Sequence, residues 1–590
     1  MSCVATSICR SCTALLAALS LGIFAAPGQL DPTFGSSGSV FPIDFGANTT
    51  FATFGGLLPL ADGSIITATD CKVGAPADGR ISICLQRLNA GGQLDTTFGT
   101  SGVASAAFPW GSSGYYFSAQ NETHLIQQAD GKFLAANPCS GGFAPALCIA
   151  RFSGDGILDP TFNSGGTLPG VQSLVDFVVG GVIGLQSSGK IVIGGACAQT
   201  FCVTRLNANG TLDTSFASAA SGTGRSMPFE TAGAFPHVTA SVNALKIDAS
   251  DRIVVVGTCY VSSFDTRYPC VGRLSPNGAT DPTFANANTS APVYGSWFPV
   301  ATFGNYATGN DVAIQTDGKI LFIGDCGDSP ATATCLVRLL SSGTPDSSFT
   351  SASSGLPGIV KLDAPDGFKA SRSIKIQSDD KIVFAGECSS IFSLFCVGRL
   401  NADGSIDTTY DASPGNGNGI VQLTIGPGAG YAADVALTAS GKIIVYGSCR
   451  QTNGIYTGCA ARLLGGARDT AACSLNVDAN NTIDPATDAQ LIVRYVLGYR
   501  GNALTNGVLG ANPTRTGAPL EAHLASLNLD ADGDGQVHAM TDGLLILRAM
   551  LGLSGNALTA GAVNTSSPTV RNAQQILTWI ESTHGVACLP

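Results

Sequence analysis

Charge is scarce in this chain: only 12% of its 590 residues are Asp, Glu, Lys or Arg, and five are histidine. A disordered chain would be rich in charge and poor in apolar residues, so that class is excluded. The formal net charge of −11 argues against a nucleic-acid binder, because a phosphate backbone requires a basic footprint. Calcium and neutral ligands stay compatible. No segment is apolar over the roughly 20 residues that a membrane-crossing helix needs. A nucleophile elbow, an HExxH zinc motif and a phosphate loop are also missing. Glycine, by contrast, is abundant at 74 residues, which suits many short strands joined by turns better than a helical enzyme. At this length two or more domains are expected.

Residues 1–26 read as an export signal. Arg10 supplies a positive start, and the apolar stretch Thr13 to Ala26 ends in small residues. Cys3, Cys9 and Cys12 lie inside it. The other sixteen cysteines pair as Cys71 with Cys84, Cys139 with Cys148, Cys197 with Cys202, Cys259 with Cys270, Cys326 with Cys335, Cys388 with Cys396, Cys449 with Cys459, and Cys473 with Cys588. An even count in an exported chain reads as a disulfide framework. Zinc is the alternative, but the spacings vary and no histidines accompany the pairs. The mature protein is expected to be secreted, without a membrane span.

Self-similarity is the dominant signal. One unit recurs seven times: an apolar strand, a turn such as Asp-Gly, a second apolar strand ending in Cys, then Cys-x-x-Arg-Leu, a glycine turn and Leu-Asp-x-x-Phe. The sixth copy reads SIKIQSDDKIVFAGEC, then CVGRLNADGSIDTTY. The hairpin turns at Gly63, Gly131, Gly189, Asp251, Gly318, Asp380 and Gly441 are 58 to 68 residues apart. Apolar runs flanking a tight turn predict a hairpin, and each unit supplies four strands. One unit buries too little to stand alone, so neighbours must stack. Seven such units over residues 27–470 predict a mainly β fold, a seven-bladed β-propeller of four-stranded blades; an open array of β-units is the alternative. The chain ends favour closure. Leu30-Asp31-Pro32-Thr33-Phe34 and SVFPIDF look like a fourth strand with none before it, while the seventh copy lacks its own fourth. On these motifs the repeat resembles the delta-60 repeat of secreted bacterial proteins over roughly residues 28–470. The resemblance implies a propeller-like architecture and no agreed activity.

Two charged positions recur in every unit. They are Arg87, Arg151, Arg205, Arg273, Arg338, Arg399 and Arg462, and Asp31, Asp95, Asp159, Asp213, Asp281, Asp346 and Asp407. They form either a ring of charge around the channel or a bridge tying each blade. The planar guanidinium suits the bridge, and a single active site has to break the repeat. The turns NADGSID, NANGTLD and SGDGILD lack the distal carboxylate of a calcium loop and read as plain turns. Outside the repeat the propeller offers Glu122, Glu230, Glu387, His124 and His237. Glu122 and His124 stand together before the second hairpin, while Glu387 reads as a solvated loop position. No catalytic residue is assigned.

After Cys473 the pattern turns helical over residues 473–590, and a duplication of about 54 residues is visible. Asn476 matches Asp530, and Asp488 matches Asp542. Each copy is an oxygen-rich loop running into an apolar helix, QLIVRYVL or GLLILRAML. In the second loop Asp530, Asp532 and Asp534 alternate so that three carboxylates can converge. Gly535 allows a sharp turn, the Gln536 carbonyl follows, Val537 anchors the loop in the core, and Asp542 closes the sphere. This is EF-hand logic, hard oxygens for a hard cation. The first loop offers Asn476, Asp478, Asn480, Thr482 and Asp488, with less charge, and is expected to bind Ca2+ more weakly. Acidic caps on two helices are the alternative. Over residues 476–555 the pairs resemble dockerins, calcium-dependent modules that plug secreted enzymes into cohesins. The resemblance implies a cohesin-like partner. The loops are one residue longer than the family's twelve, and the copies are more widely spaced.

Propellers carry enzymes and pure binders alike, so fold alone decides nothing. The sequence reads as a secreted, non-enzymatic calcium-binding scaffold or ligand-binding propeller. The alternative is an extracellular polysaccharide-degrading enzyme, a glycosyl hydrolase or lyase, or its accessory subunit. A cleft holding two convergent, non-repeated carboxylates would favour the enzyme.

Overall fold

The second strand of each repeat is apolar on both faces, as a strand must be when another sheet covers each side. In the fifth repeat Ile320–Cys326 (ILFIGDC) is buried along almost its whole length. In this computed structural model the described residues are 27–45, 55–71, 82–107, 123–140, 145–175, 177–197, 200–217, 224–226, 238–261, 266–284, 296–297, 306–327, 333–350, 356–362, 368–388, 394–410, 418–438, 440–465, 473–480, 483–510, 513–564, 569–585 and 588–589. The predicted export signal lies outside them. The chain divides into two compact units, Leu30–Asp469 and one that contains Thr470–Pro590.

The first unit is a propeller of seven four-stranded antiparallel sheets. In blade 5 the strands run outward as Asp311–Ile314, Ile320–Cys326, Ala333–Leu339 and Ile359–Leu362. Blade 7 is composite. Its three later strands, Gly430–Leu437, Ile443–Arg450 and Tyr456–Leu463, take Ser39–Ile43 as the fourth, with Ser39 opposite Ala461 and Val40 opposite Ala460. The unpartnered strand at the start thus completes the last blade, and the ring is closed rather than an open array.

Among the described residues seven hydrophobic clusters of the propeller each join two consecutive blades. The seventh packs Phe34, Ile43, Leu57 and Ile65 against Ile444 and Tyr446, so blade 7 meets blade 1. Burying one such side chain contributes about 1.5–3 kcal/mol, so these interfaces dominate stability. Seven disulfides, Cys71–Cys84 through Cys449–Cys459, each link the second and third strands of one blade.

The second unit is small and helical, with its longer helices at Gln490–Val496, Gly517–Ser526, Leu544–Met550 and Ala573–His584. Its core gathers Leu475, Val477, Leu491, Ile492, Leu545, Ile546, Ile576 and Ile580, and Cys473–Cys588 joins its ends. One expectation fails here: Val537 is 43% exposed and does not anchor its loop. Ala531 and Val477, next to the first ligand position of each loop, occupy the core instead. No described helix is long and apolar enough to cross a membrane.

Candidate functional site

The recurrent Arg and Asp are architecture. Each arginine donates through Nε to its aspartate at 2.7–2.9 Å, from Arg87–Asp95 round to Arg462–Asp31. Its Nη1 donates to a backbone carbonyl in the glycine turn of the next blade, that of Ala208 for Arg151 and of Ala402 for Arg338. Arg462 reaches Ala90 in the same way and so spans the closure. The guanidinium lies 4.5–5.0 Å from the ring of the motif's aromatic residue, Phe98 in blade 1 and Tyr410 in blade 6. The other carboxylate oxygen accepts from the N–H and hydroxyl two residues on, such as Thr283 for Asp281. The Leu-Asp-x-x-Phe motif therefore specifies carboxylate, cap and ring of one cage. None of the seven arginines lines the channel.

The channel itself is about 580 Å³ and is lined by the innermost strands of all seven blades. Counting back from each hairpin turn, one register position holds Gly56, His124, Val182, Ala244, Asp311, Ser373 and Asp434. The position two residues on holds Leu58, Ile126, Gly184, Lys246, Ala313, Lys375 and Ala436. Here the sevenfold repeat is broken. Lys375 Nζ lies 3.4 Å from Asp311 Oδ2 and 3.3 Å from Asp434 Oδ1. The Ser373 hydroxyl sits 2.9 and 2.6 Å from the same two oxygens and accepts from Lys375 Nζ at 2.6 Å. Burial would raise the Asp311 pKa, but Lys375, Lys246 and two backbone N–H groups hold it below the usual carboxylate range. Burial depresses His124 to about 4, so it is a neutral imidazole at pH 7. Burial also lowers the Lys246 pKa.

Sequence reasoning reached only His124 of this cluster. Aspartates and lysines at strand positions carried no motif, and only a comparison of one register across the seven copies isolates them. Glu387 is corrected: it lies within the strand Ile382–Cys388, half-buried, and pairs with Arg372 at 3.3 Å. A strand position facing a cation, not a solvated loop, accounts for it. Glu122, Glu230 and His237 lie outside the described residues.

In the C-terminal unit Asp530, Asp532 and Asp542 each place a carboxylate oxygen within 4.8 Å of the others. Asp542 sits in a wide turn, Ala539–Gly543, that leads into the helix Leu544–Met550. It accepts from the N–H groups of Ala531, Asp532 and His538. Asp488 does the same in the first loop with Val477, Asp478 and Asp484. Asp534 stands outside the group of three, tied to Asn564 Nδ2 at 2.6 Å. Gln536 is exposed, its N–H donated to Asp534. Asn476, Asp478 and Asn480 are buried together, with Asp478 Oδ2 accepting from Asn480 Nδ2 at 3.1 Å. Thr482 lies outside the described residues. Two residues went unseen in the sequence. Arg515 clamps the Asn476 and Val477 carbonyls, and Arg571 clamps those of Asp530 and Ala531. They sit two residues off the 54-residue period, which hid the correspondence. Burial, with Asp478 beside it, raises Asp488 to about 7; burial also raises Asp532, with Asp542 and Asp534 adding to it. Oxygens on opposite sides of one Ca2+ ion lie roughly 5 Å apart, so the spacing in the second loop fits that ion.

A family model described as a domain of unknown function, β-propeller (DUF5122), matches residues 186–216, 315–349 and 377–410. These are the hairpin-to-cage segments of repeats 3, 5 and 6. No curated protein matches the chain. Among solved structures the polysaccharide lyase Uly1 is similar at 11% identity, over 72% of this chain and 92% of that one, with a TM-score of 0.42. An ulvan lyase is 10% identical over 76% and 96%, at 0.39. An α-L-arabinofuranosidase from Fusarium graminearum is 8% identical over 71% and 98%, at 0.32. Likenesses of this grade carry no argument about activity.

Proposed function

We propose that this chain is a secreted, non-enzymatic binding protein. Its disulfide-locked propeller holds a ligand in the central channel. Its dockerin-like C-terminal unit binds Ca2+ in two loops, through Asp530, Asp532, Asp534, Gln536 and Asp542, and through Asn476, Asp478, Asn480, Thr482 and Asp488. That unit attaches the propeller to a cohesin-like protein or an extracellular polysaccharide. The observation that carries the reading is the approach of the Asp530, Asp532 and Asp542 oxygens to within 4.8 Å. Backbone N–H groups offset part of the repulsion among these three carboxylates, and a divalent cation seated between them would offset the rest. Calorimetric titration of Ca2+ into the full chain should give two binding events, the tighter one lost in Asp530→Ala. No heat, with no change in melting temperature, would sink the reading.

A polysaccharide-degrading enzyme is the second reading, favoured by one observation. Asp311 and Asp434 are convergent, non-repeated carboxylates in one cavity. Against it stands Lys375, whose charge between the two opposes the protonated state that a glycosidase acid requires.

A further inference from the structure

Three groups on the channel wall hold hydrogen-bonding capacity that nothing among the described residues uses. Lys246 makes no hydrogen bond or ion pair there, and neither does the His124 ring. Asp434 spends Oδ1 on Ser373, Lys375 and the Val435 N–H, and leaves Oδ2 open.

Charge along the wall alternates through blades 4 to 7 as Lys246, Asp311, Lys375 and Asp434. Lys375 is shared by both aspartates, so Lys246 is the cation with no carboxylate in contact. An ammonium that shares the channel with Asp311 and Asp434 but touches neither has room for an anionic group in direct contact. The open Asp434 oxygen requires a donor, and a neutral imidazole can give or take one more hydrogen bond. Across from this arc the wall is apolar, with Leu58, Ile126 and Val182, and accepts the C–H face of a ring. The volume, about 580 Å³, falls within the roughly 300–1,000 Å³ of small-molecule sites. A hydroxylated carboxylate of monosaccharide size meets all these requirements at once.

We infer that the propeller channel binds a sugar acid, its carboxylate on Lys246 and its hydroxyls on Asp434 and His124. This rests on the reading of the channel as the ligand site. Burial already lowers the Lys246 pKa, so an anion placed there relieves an existing cost.

The test compares D-glucuronate, D-glucose and D-glucosamine, which share a size and differ in charge, by calorimetry on the full chain. Glucuronate should bind at least about tenfold more tightly than either of the others. Lys246→Met should abolish that preference without lowering the melting temperature, since the lysine bonds to nothing it would orphan. Equal binding of all three, or a preference that survives Lys246→Met, overturns the sugar-acid assignment while the channel stays a ligand site. No binding of any of the three overturns both.

Discussion

At the scale of the residue, each recurrent arginine does three things at once. Arg273 neutralises Asp281, caps a carbonyl of the next blade and covers the Phe284 ring, with only 3% of its side chain exposed. Removing it leaves the Asp281 charge buried, and breaking such a pair from one side typically costs about 3–5 kcal/mol. Arg273→Met should therefore lower the unfolding free energy, read from guanidinium denaturation, by that much; a change under about 1 kcal/mol would demote the cage to decoration. The same cages set the acid limit of the fold. Burial alone would raise the Asp31 pKa, but Lys442, Arg462 and Thr33 hold it at about 2. Asp159 and Asp407 likewise lie at about 2, their hydrogen bonds and cations outweighing burial. A carboxylate lowered in the folded state stabilises above its unfolded pKa, and that contribution is lost as pH falls toward the folded value. Stability should thus hold from pH 7 down to about 4, then fall by up to about 2 kcal/mol for each of Asp31, Asp159 and Asp407 between pH 4 and pH 2. Melting temperature followed by calorimetry across that range reads it, and a flat profile down to pH 2 would contradict it.

At the scale of the element, blades dock through their glycine turns. Gly189 and Gly210 belong to one blade and share a left-handed backbone, with φ of 76° and 88°. They differ in what stands beside them. A Cβ on Gly189 would meet only Ala208 at 3.8 Å, whereas one on Gly210 would strike the Phe162 ring of the preceding blade at 2.7 Å. Gly189→Ala should cost about 1–2 kcal/mol from backbone strain alone. Gly210→Ala should lose about 1–3 kcal/mol more, because the ring beneath Arg151 must shift. Urea denaturation of the two variants compares them directly, and equal losses would mean that the turns do not carry the docking. This also marks how far the sequence was readable. The hairpins, the cysteine pairs and the split blade all followed from patterns repeated seven times, since repetition imposes one environment on one register. Lys246, Asp311, Lys375 and Asp434 were invisible for the opposite reason: each occurs at its register in one or two blades only, inside strands that read as apolar. Val537 misled because its place after the glycine turn suggested an inward side chain, while Ala531 had already filled the core from the other end of the loop.

At the scale of the whole propeller, stability is cyclic. Every blade shares one hydrophobic interface with each neighbour, so opening any one interface exposes two faces at once. The interface between blades 7 and 1 depends on the shortest piece of chain. Residues 27–45 supply the fourth strand of blade 7, the buried Phe34 and Ile43, and the Asp31 that neutralises Arg462. Deleting them removes the strand pairing with Tyr456–Leu463 and strands a buried arginine. The truncated chain should lose more melting temperature than any single cage variant, and its transition should broaden as blades lose their cyclic constraint. A synthetic peptide of residues 27–45, added in trans, should bind the open edge of blade 7 and recover most of that loss. Arg462→Met in the truncated chain should weaken the recovery, because Asp31 would then enter with Lys442 as its one remaining cation. A truncated chain that melts as the intact one does would show that closure through the N-terminal strand contributes nothing, and that blades 1 and 7 each stand on their single remaining neighbour.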